Sequence, residues 1–306
     1  MLLIKIMSLL LIFIDGLGIG TRGEHNPLAR LDADAAAPLA VFQDETPALP
    51  FDGLLVETDA RLGVEGRPQS ASGQTTILTG INAPARLGYH KQGFPNEAMR
   101  EIIRASSIFR QLKEVGIAPN IFANTYTRRF FETRPRWVSA TTVAVEAAGM
   151  RFNDMDDLRA GRSLYHDFTN RLLIESGEEV SARTPEEAAE VLARVAFEHR
   201  FTLYEYFITD HMGHKQDLEG SLKVVAALAA FVRSVLGRVD LSRTTVVLTS
   251  DHGNIEDLST RNHTLNPVPT LVWGAARQSF ARRVRSLADI TPAIVETLTV
   301  RASARL

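Results

Sequence analysis

Ser8-Leu9-Leu10-Leu11-Ile12-Phe13-Ile14-Asp15-Gly16-Leu17-Gly18 is the stretch on which the fold turns. An apolar run of strand length stops abruptly at an Asp-Gly turn, the pattern of a strand covered on both faces inside a sheet. The wider run Met1 to Ile14, broken only by Lys5 and Ser8, also has the composition of a secretion-signal core. No small-residue cleavage site follows it, so a buried strand is expected and the chain is expected to be cytoplasmic.

Outward from that strand, apolar runs of similar length alternate with longer helical patterns. Strands are expected at Ser8 to Ile14, Leu54 to Glu57, Asn120 to Ala123, Thr202 to Thr209, Thr244 to Thr249 and Pro269 to Trp273. Helices are expected at Ser72 to Leu78, Glu97 to Glu114, Ala140 to Ala148, Glu186 to His199, Leu218 to Leu236 and Pro292 to Leu298. The helix at Glu186 has a marked start, with Thr184 as N-cap, Pro185 in the first position and Glu187 completing a capping box. Alternation over the whole length predicts an α/β class: a doubly wound, mostly parallel sheet flanked by helices. Residues 1–306 are expected to form a single domain, with 95–200 partly forming a small cap or insertion. Thr21 to Pro50, rich in Ala, Asp and Pro, reads as a long excursion with short helical pieces.

Composition narrows the function. The 306 residues are 45% hydrophobic and 23% charged, and 34 Lys plus Arg against 36 Asp plus Glu give a net charge of −2. A near-neutral chain has no global attraction to nucleic acid or to an anionic membrane, and neither is expected as a partner. Its longest uninterrupted apolar stretches, such as Val224 to Val232, fall far below the roughly 20 residues of a membrane span. Cys is absent, which excludes disulfides, thiolate metal sites and cysteine nucleophiles. Any chemistry belongs to oxygen and nitrogen groups.

In open α/β sheets ligands gather beyond the carboxyl ends of the strands. Asp15 ends the first strand there, Asp210 follows Tyr-Phe-Ile-Thr with His214 four positions on, and Asp251-His252-Gly-Asn follows Val-Val-Leu-Thr-Ser. His263 opens His-Thr-Leu-Asn-Pro-Val-Pro before the last strong strand. Singly, each cluster is no more than a turn. Together, three Asp and three His make an oxygen-and-imidazole set suited to divalent metals, which would relieve the repulsion of massed carboxylates. A nucleophile acting on phosphate would stand at a helix N-terminus, and Ser70-Ala71-Ser72-Gly73-Gln74-Thr75-Thr76 offers hydroxyls beside a small residue. On the residues alone, a serine N-cap on a buried helix fits this segment equally well.

The ordered motifs — Asp15, a Ser-x-x-Gly-Gln helix start, Asp-x-x-Gly-His-type and Asp-His-Gly-Asn clusters, then His-Thr-x-Asn-Pro-Val-Pro — resemble the alkaline phosphatase superfamily. The nearest branch holds cofactor-independent phosphoglycerate mutase and phosphopentomutase. The resemblance runs from Leu9 through Leu287-Ala-Asp-Ile-Thr-Pro. It implies an alkaline phosphatase-like core and two divalent cations, manganese or zinc. One cation would be bound by Asp15, Asp251, His252 and the nucleophile Ser70, the other by Asp210, His214 and His263. Ser70 is preferred to Ser72 because the family's hydroxyl falls three residues before the Gly. Gln74 stands where the mutase usually has His, a departure expected to touch substrate handling. The mutase also carries a full second domain between its nucleophile and the Asp210 motif, and the stretch available here is too short for one.

What the resemblance implies is therefore a metal-dependent phosphohydrolase acting on a small phosphorylated substrate. A phosphomutase and a catalytically degenerate binding protein are the alternatives. Lys91, in Gly88-Tyr-His90-Lys91, and Arg128 and Arg129, in a cluster with Arg134, Arg136, Phe130, Phe131 and Trp137, are the candidate substrate-binding cations. His25, His166 and His211 lie outside the motifs and are given structural roles, and Asn26 is a candidate support for the Asp15 loop.

Overall fold

Six strands pair into one sheet in the order β2-β6-β5-β1-β4-β3 in the computed structural model, which describes residues 7–299. They are β1 Ser8–Ile14, β2 Leu54–Thr58, β3 Asn120–Phe122, β4 Phe201–Tyr206, β5 Thr244–Ser250 and β6 Val268–Trp273. β1 lies in the middle, parallel to β4 on one side and β5 on the other, and β3 continues the parallel set beyond β4. β6 runs antiparallel to β5, and β2 antiparallel to β6. The first six residues of the apolar Met1–Ile14 run lie outside the described residues.

The unbroken apolar character of β1 follows from cover on both faces. Leu10, Ile12 and Ile14 pack with Leu192 and Val195 of the helix Pro185–Glu198 and with Val225, Leu228 and Val232 of the helix Leu218–Arg238. Leu9, Leu11 and Phe13 point the other way, toward Ile103, Phe109, Leu112, Val143 and Ile294. The period of two along one strand thus feeds two separate apolar layers. The predicted capping box at Thr184 and Glu187 is present, each side chain bonding the other residue's N–H. The 21-residue Leu218–Arg238 helix is long and apolar enough to cross a membrane by length and composition, although Lys223 and Arg233 interrupt its apolar runs. Here its apolar face is packed against the sheet.

Two expected elements end differently. The run Glu97 to Glu114 breaks at buried Ser107, whose extended backbone closes the helix Glu97–Ser106 and opens the helix Ile108–Glu114. The run Thr202 to Thr209 stops as a strand at Tyr206, and Ile208–Lys215 is helical. β-branched Ile208 and Thr209 favour a strand locally, but the Thr209 hydroxyl donates to the Asp15 carbonyl and fixes the turn. Residues 95–200 supply β3 and the helices Glu97–Ser106, Ile108–Glu114, Ala140–Ala147 and Pro185–Glu198, which join the two main layers. Met155, Leu158 and Leu173 form a small apolar group apart from both.

Candidate metal centre

Parallel β1 and β5 end side by side, since Ile14 pairs with Ser250, and each hands the chain to an aspartate, Asp15 and Asp251. Asp15 N–H donates to the Tyr206 carbonyl at 2.9 Å, tying the same edge to β4. Because Ile208–Lys215 is a helix, Asp210 and His214 stand one turn apart on one face. Two glycines permit this crowding. Gly16 has φ +75°, and a Cβ there would lie 2.9 Å from Asp210. A Cβ on Gly73 would lie 2.8 Å from the Asp251 Cβ, so only glycine lets the Ser70–Thr79 helix approach.

Two groups of donor atoms result, each lying within 4.8 Å of one another: Asp210, His214 and His263, and Asp15, Asp210 and His252. His214 Nε2 is 3.3 Å from Asp210 Oδ2, and His263 Nε2 is 3.5 Å from Asp210 Oδ1. His252 Nε2 is 3.2 Å from Asp15 Oδ1 and 3.6 Å from Asp251 Oδ2. Asp210 therefore touches both groups, whereas the resemblance gave it to one only. Asp251 stands behind His252, its carboxylate accepting from Gly16 N–H and Gln74.

The chemistry of these donors fits a divalent cation. His214 Nδ1 donates to the Arg261 carbonyl at 2.7 Å and His263 Nδ1 to the Pro68 carbonyl at 2.9 Å, which leaves both Nε2 atoms as acceptors. Those two acceptors are 3.3 Å apart. Two imidazole ligands about 2.0–2.1 Å from one tetrahedral ion stand roughly 3.3 Å from each other. Burial pulls His252 and His263 down to about 4, so both rings are neutral at pH 7. Burial pushes Asp15 up to about 7, with His214 opposing, and pushes Asp251 well above the carboxylate range, reinforced by Asp15 and Asp210. Carboxylates in that condition ionise readily only beside added positive charge.

Ser70 opens the helix Ser70–Thr79 after N-cap Gln69, and its Oγ lies 3.0 Å from His252 Nε2. It is not the cap that its sequence equally allowed. Ser72 is committed elsewhere: its Oγ donates to the Gln69 carbonyl and accepts from Lys91 N–H. Gln74, one turn on, sets its Nε2 3.4 Å from Asp15 Oδ2 and 3.3 Å from Asp251 Oδ2, so it faces both carboxylates.

Lys91 exchanges backbone bonds with Ser72 at the start of the Ser70–Thr79 helix, while its Nζ donates to the Gln92 carbonyl. Arg128 pairs with Glu132 and has a side chain 83% exposed, and Arg129 is exposed on the same short helix, Arg128–Thr133. Asn26 caps Leu28 and bonds the Thr21 carbonyl, a loop-stiffening role. Three supporting residues had no role assigned from the sequence, although Asn254 closes the Asp-His-Gly-Asn motif. Buried Glu256 accepts from Gly18 N–H (2.9 Å), Asn254 N–H (2.7 Å), Thr264 Oγ1 (2.5 Å) and Asn266 Nδ2 (3.0 Å), joining the loops that follow β1, β5 and His263. Asn254 Nδ2 donates to Asp210 Oδ1 at 2.8 Å. Arg67 donates to the His263 carbonyl at 2.7 Å, setting a cation at the rim. A glutamate five positions beyond Asp251, in the loop that also carries His252 and His263, was the available signal for Glu256.

A family model for the metalloenzyme superfamily matches residues 144–302. The 2,3-bisphosphoglycerate-independent phosphoglycerate mutase of Desulforudis audaxviator is 32% identical over 126 residues, 39% of this chain and 24% of that protein. The mutase of Roseobacter denitrificans is 34% identical over 100 residues, 30% of this chain and 20% of its own. The match thus spans about a quarter or less of these relatives' length. Among solved structures, the PH0037 protein from Pyrococcus horikoshii has a TM-score of 0.56 at 12% identity, covering 97% of this chain and 98% of that one. A cold-active alkaline phosphatase from Shewanella sp. has a TM-score of 0.54 at 10% identity, covering 95% and 100%. At such identities the likeness establishes the α/β fold.

Proposed function

The chain belongs to the metalloenzyme superfamily, and from that premise we propose that it is a phosphohydrolase that uses two divalent cations and a Ser70 nucleophile to cleave a phosphomonoester or phosphodiester. The observation that carries this is Ser70 Oγ, 3.0 Å from His252 Nε2 at the edge of the converging Asp and His donors. Bound cations, manganese or zinc, supply a lowered hydroxyl pKa and stabilisation of charge on the transferring phosphoryl group.

The chain's own residues do the rest. The start of a ten-residue helix holds the Ser70 hydroxyl among the metal ligands and favours an anion there. Attack of Ser70 Oγ on phosphorus moves the phosphoryl group to the serine and releases the alcohol. Water then regenerates the hydroxyl, releasing inorganic phosphate from a monoester or the remaining monoester from a diester. His214 and His263 are held in their ligand tautomers by the Arg261 and Pro68 carbonyls, and Arg67 adds positive charge beside them.

A phosphomutase is the second reading, favoured by the curated relatives. A mutase must keep water from its phosphoenzyme, usually by closing a domain over it. In this chain much of the stretch between Ser70 and Asp210 is taken up by β3 and core-packed helices, which supports hydrolysis. Incubation of the manganese- or zinc-loaded protein with a panel of phosphate esters separates the two. Free phosphate is expected, and an isomerised ester without phosphate release would overturn the hydrolase.

A further inference from the structure

Beyond the metal centre, on the same edge of the sheet, a cavity of about 200 Å³ lies between the ends of β3 and β4. Phe122, Tyr126 and Phe130 form one wall, and Tyr165, His166 and Phe207 the other. Glu205, 3% exposed, also lines it. A cavity of about 150 Å³ admits a benzene ring, so a compact organic group fits this one.

The polar groups of the lining are nearly all committed. Asn124 exchanges both of its bonds with the Glu205 backbone at 2.8 and 2.9 Å. The Thr125 hydroxyl pairs with Ser163 at 2.6 Å, and the Tyr126 hydroxyl with Thr142 at 2.8 Å. What remains is acceptor capacity. The Glu205 carboxyl receives the Thr141 hydroxyl on Oε1, and among the described residues no basic side chain forms an ion pair with it. His166 Nδ1 is buried without a partner. On the nearby surface Arg128 is paired with Glu132 and Arg134 with Glu146. Aromatic faces, a buried carboxyl without a counter-charge and an idle imidazole nitrogen together call for a cationic hydrogen-bond donor.

We propose that this cavity binds a primary ammonium group, so that the substrate is an amino-bearing phosphate ester whose cationic end lies against Glu205 and whose phosphate meets the metal centre. The connection is short. Glu205 and Phe207 flank Tyr206, whose carbonyl holds Asp15 N–H, and Phe207 leads directly into the helix that carries Asp210. Burial, with the Asp15 charge adding to it, pushes the Glu205 carboxyl up to about 8, the condition of an acid that an incoming cation would ionise. The phosphate end of this proposal rests on the phosphohydrolase reading, while the ammonium preference of the cavity does not.

Calorimetric titration of the metal-loaded protein with n-butylammonium chloride and with n-butanol tests it. The ammonium should bind about tenfold tighter than the alcohol, the effect of one desolvated cation contact. Folded Glu205→Gln should bring the two close to parity. Equal binding of the alcohol, no binding of either, or a preference that survives Glu205→Gln would overturn the assignment. Should Glu205→Gln fail to fold, the wild-type preference alone decides. In a kinetic arm, 2-aminoethyl phosphate should show the higher kcat/KM against n-propyl phosphate. Equal or reversed values would break the link between cavity and substrate. Turnover of neither ester, with the ammonium still preferred, would reject that link and the phosphohydrolase while the cavity's own assignment stands.

Discussion

The Nε2 atoms of His214 and His263 face each other across 3.3 Å, with both Nδ1–H groups committed to backbone carbonyls. Two acceptors and the Asp210 carboxylate converge, an arrangement stable only around positive charge. Chelator-treated protein should therefore melt at a lower temperature than protein supplied with manganese or zinc. A ligand at a thousandfold its Kd adds about 4 kcal/mol. Scanning calorimetry that finds the same melting temperature with and without metal would contradict a metal centre here.

Ser70 and Ser72 should separate cleanly. Ser70→Ala removes the nucleophile and should cut turnover by several orders of magnitude while changing stability little. Ser72→Ala removes the hydroxyl that links the Gln69 carbonyl and Lys91 N–H, and should cost about 1 kcal/mol of stability with turnover per folded molecule retained. Specific activity and melting temperature of the two variants decide the matter, and near wild-type turnover in Ser70→Ala would sink the assignment.

Glu256 should act on metal affinity without touching the metal. Its carboxylate accepts the N–H groups of Gly18 and Asn254 and side-chain donors from Thr264 and Asn266. Glu256→Gln keeps the shape but turns acceptors toward donors. Groups that orient ligands typically change metal affinity by about 10–100-fold. Titration of the chelated variant with manganese should show a loss of that order, and wild-type affinity would make Glu256 a mere core residue.

How much of this was legible in the sequence follows from which forces act locally. β1 was plain because Leu9 to Ile14 is apolar on both faces, and Asp15, Asp251 and His252 were plain because they interrupt such runs at their ends. Asp210 was placed just past a strand Thr202 to Thr209 that in fact ends at Tyr206, since the contact that bends the chain joins Thr209 to Asp15, far apart in sequence. Glu256, Asn254 and Arg67 were missed for the same reason: their partners sit on other loops. Lys91, Arg128 and Arg129 drew notice as charge, and the fold leaves Arg128 and Arg129 on the surface and turns the Lys91 ammonium to a backbone carbonyl. The Glu205 cavity was illegible, because it joins β3, β4 and the loop at His166.

Glu205 also sets a pH dependence. Its carboxyl is raised from 4.5 to about 8, first by burial, so the folded chain holds a proton that the unfolded chain has lost between those values. Stability must then fall as pH rises through that window. Buried His166, pulled down from 6.5 to about 4 by burial, acts oppositely and raises stability between those values. Comparison with Glu205→Gln isolates the first effect. In chelator, the stability of the variant relative to wild type should grow from pH 5 to pH 8. Parallel denaturation profiles across that range would refute the shift.

The covalent intermediate tests the central claim most directly. Manganese- or zinc-loaded protein mixed with a turned-over phosphate ester and quenched in acid should yield one phosphorylated peptide, with the phosphate on Ser70, and none after chelation. Phosphate release with no trapped adduct, or an adduct mapped to Ser72, would contradict a serine nucleophile at this metal centre.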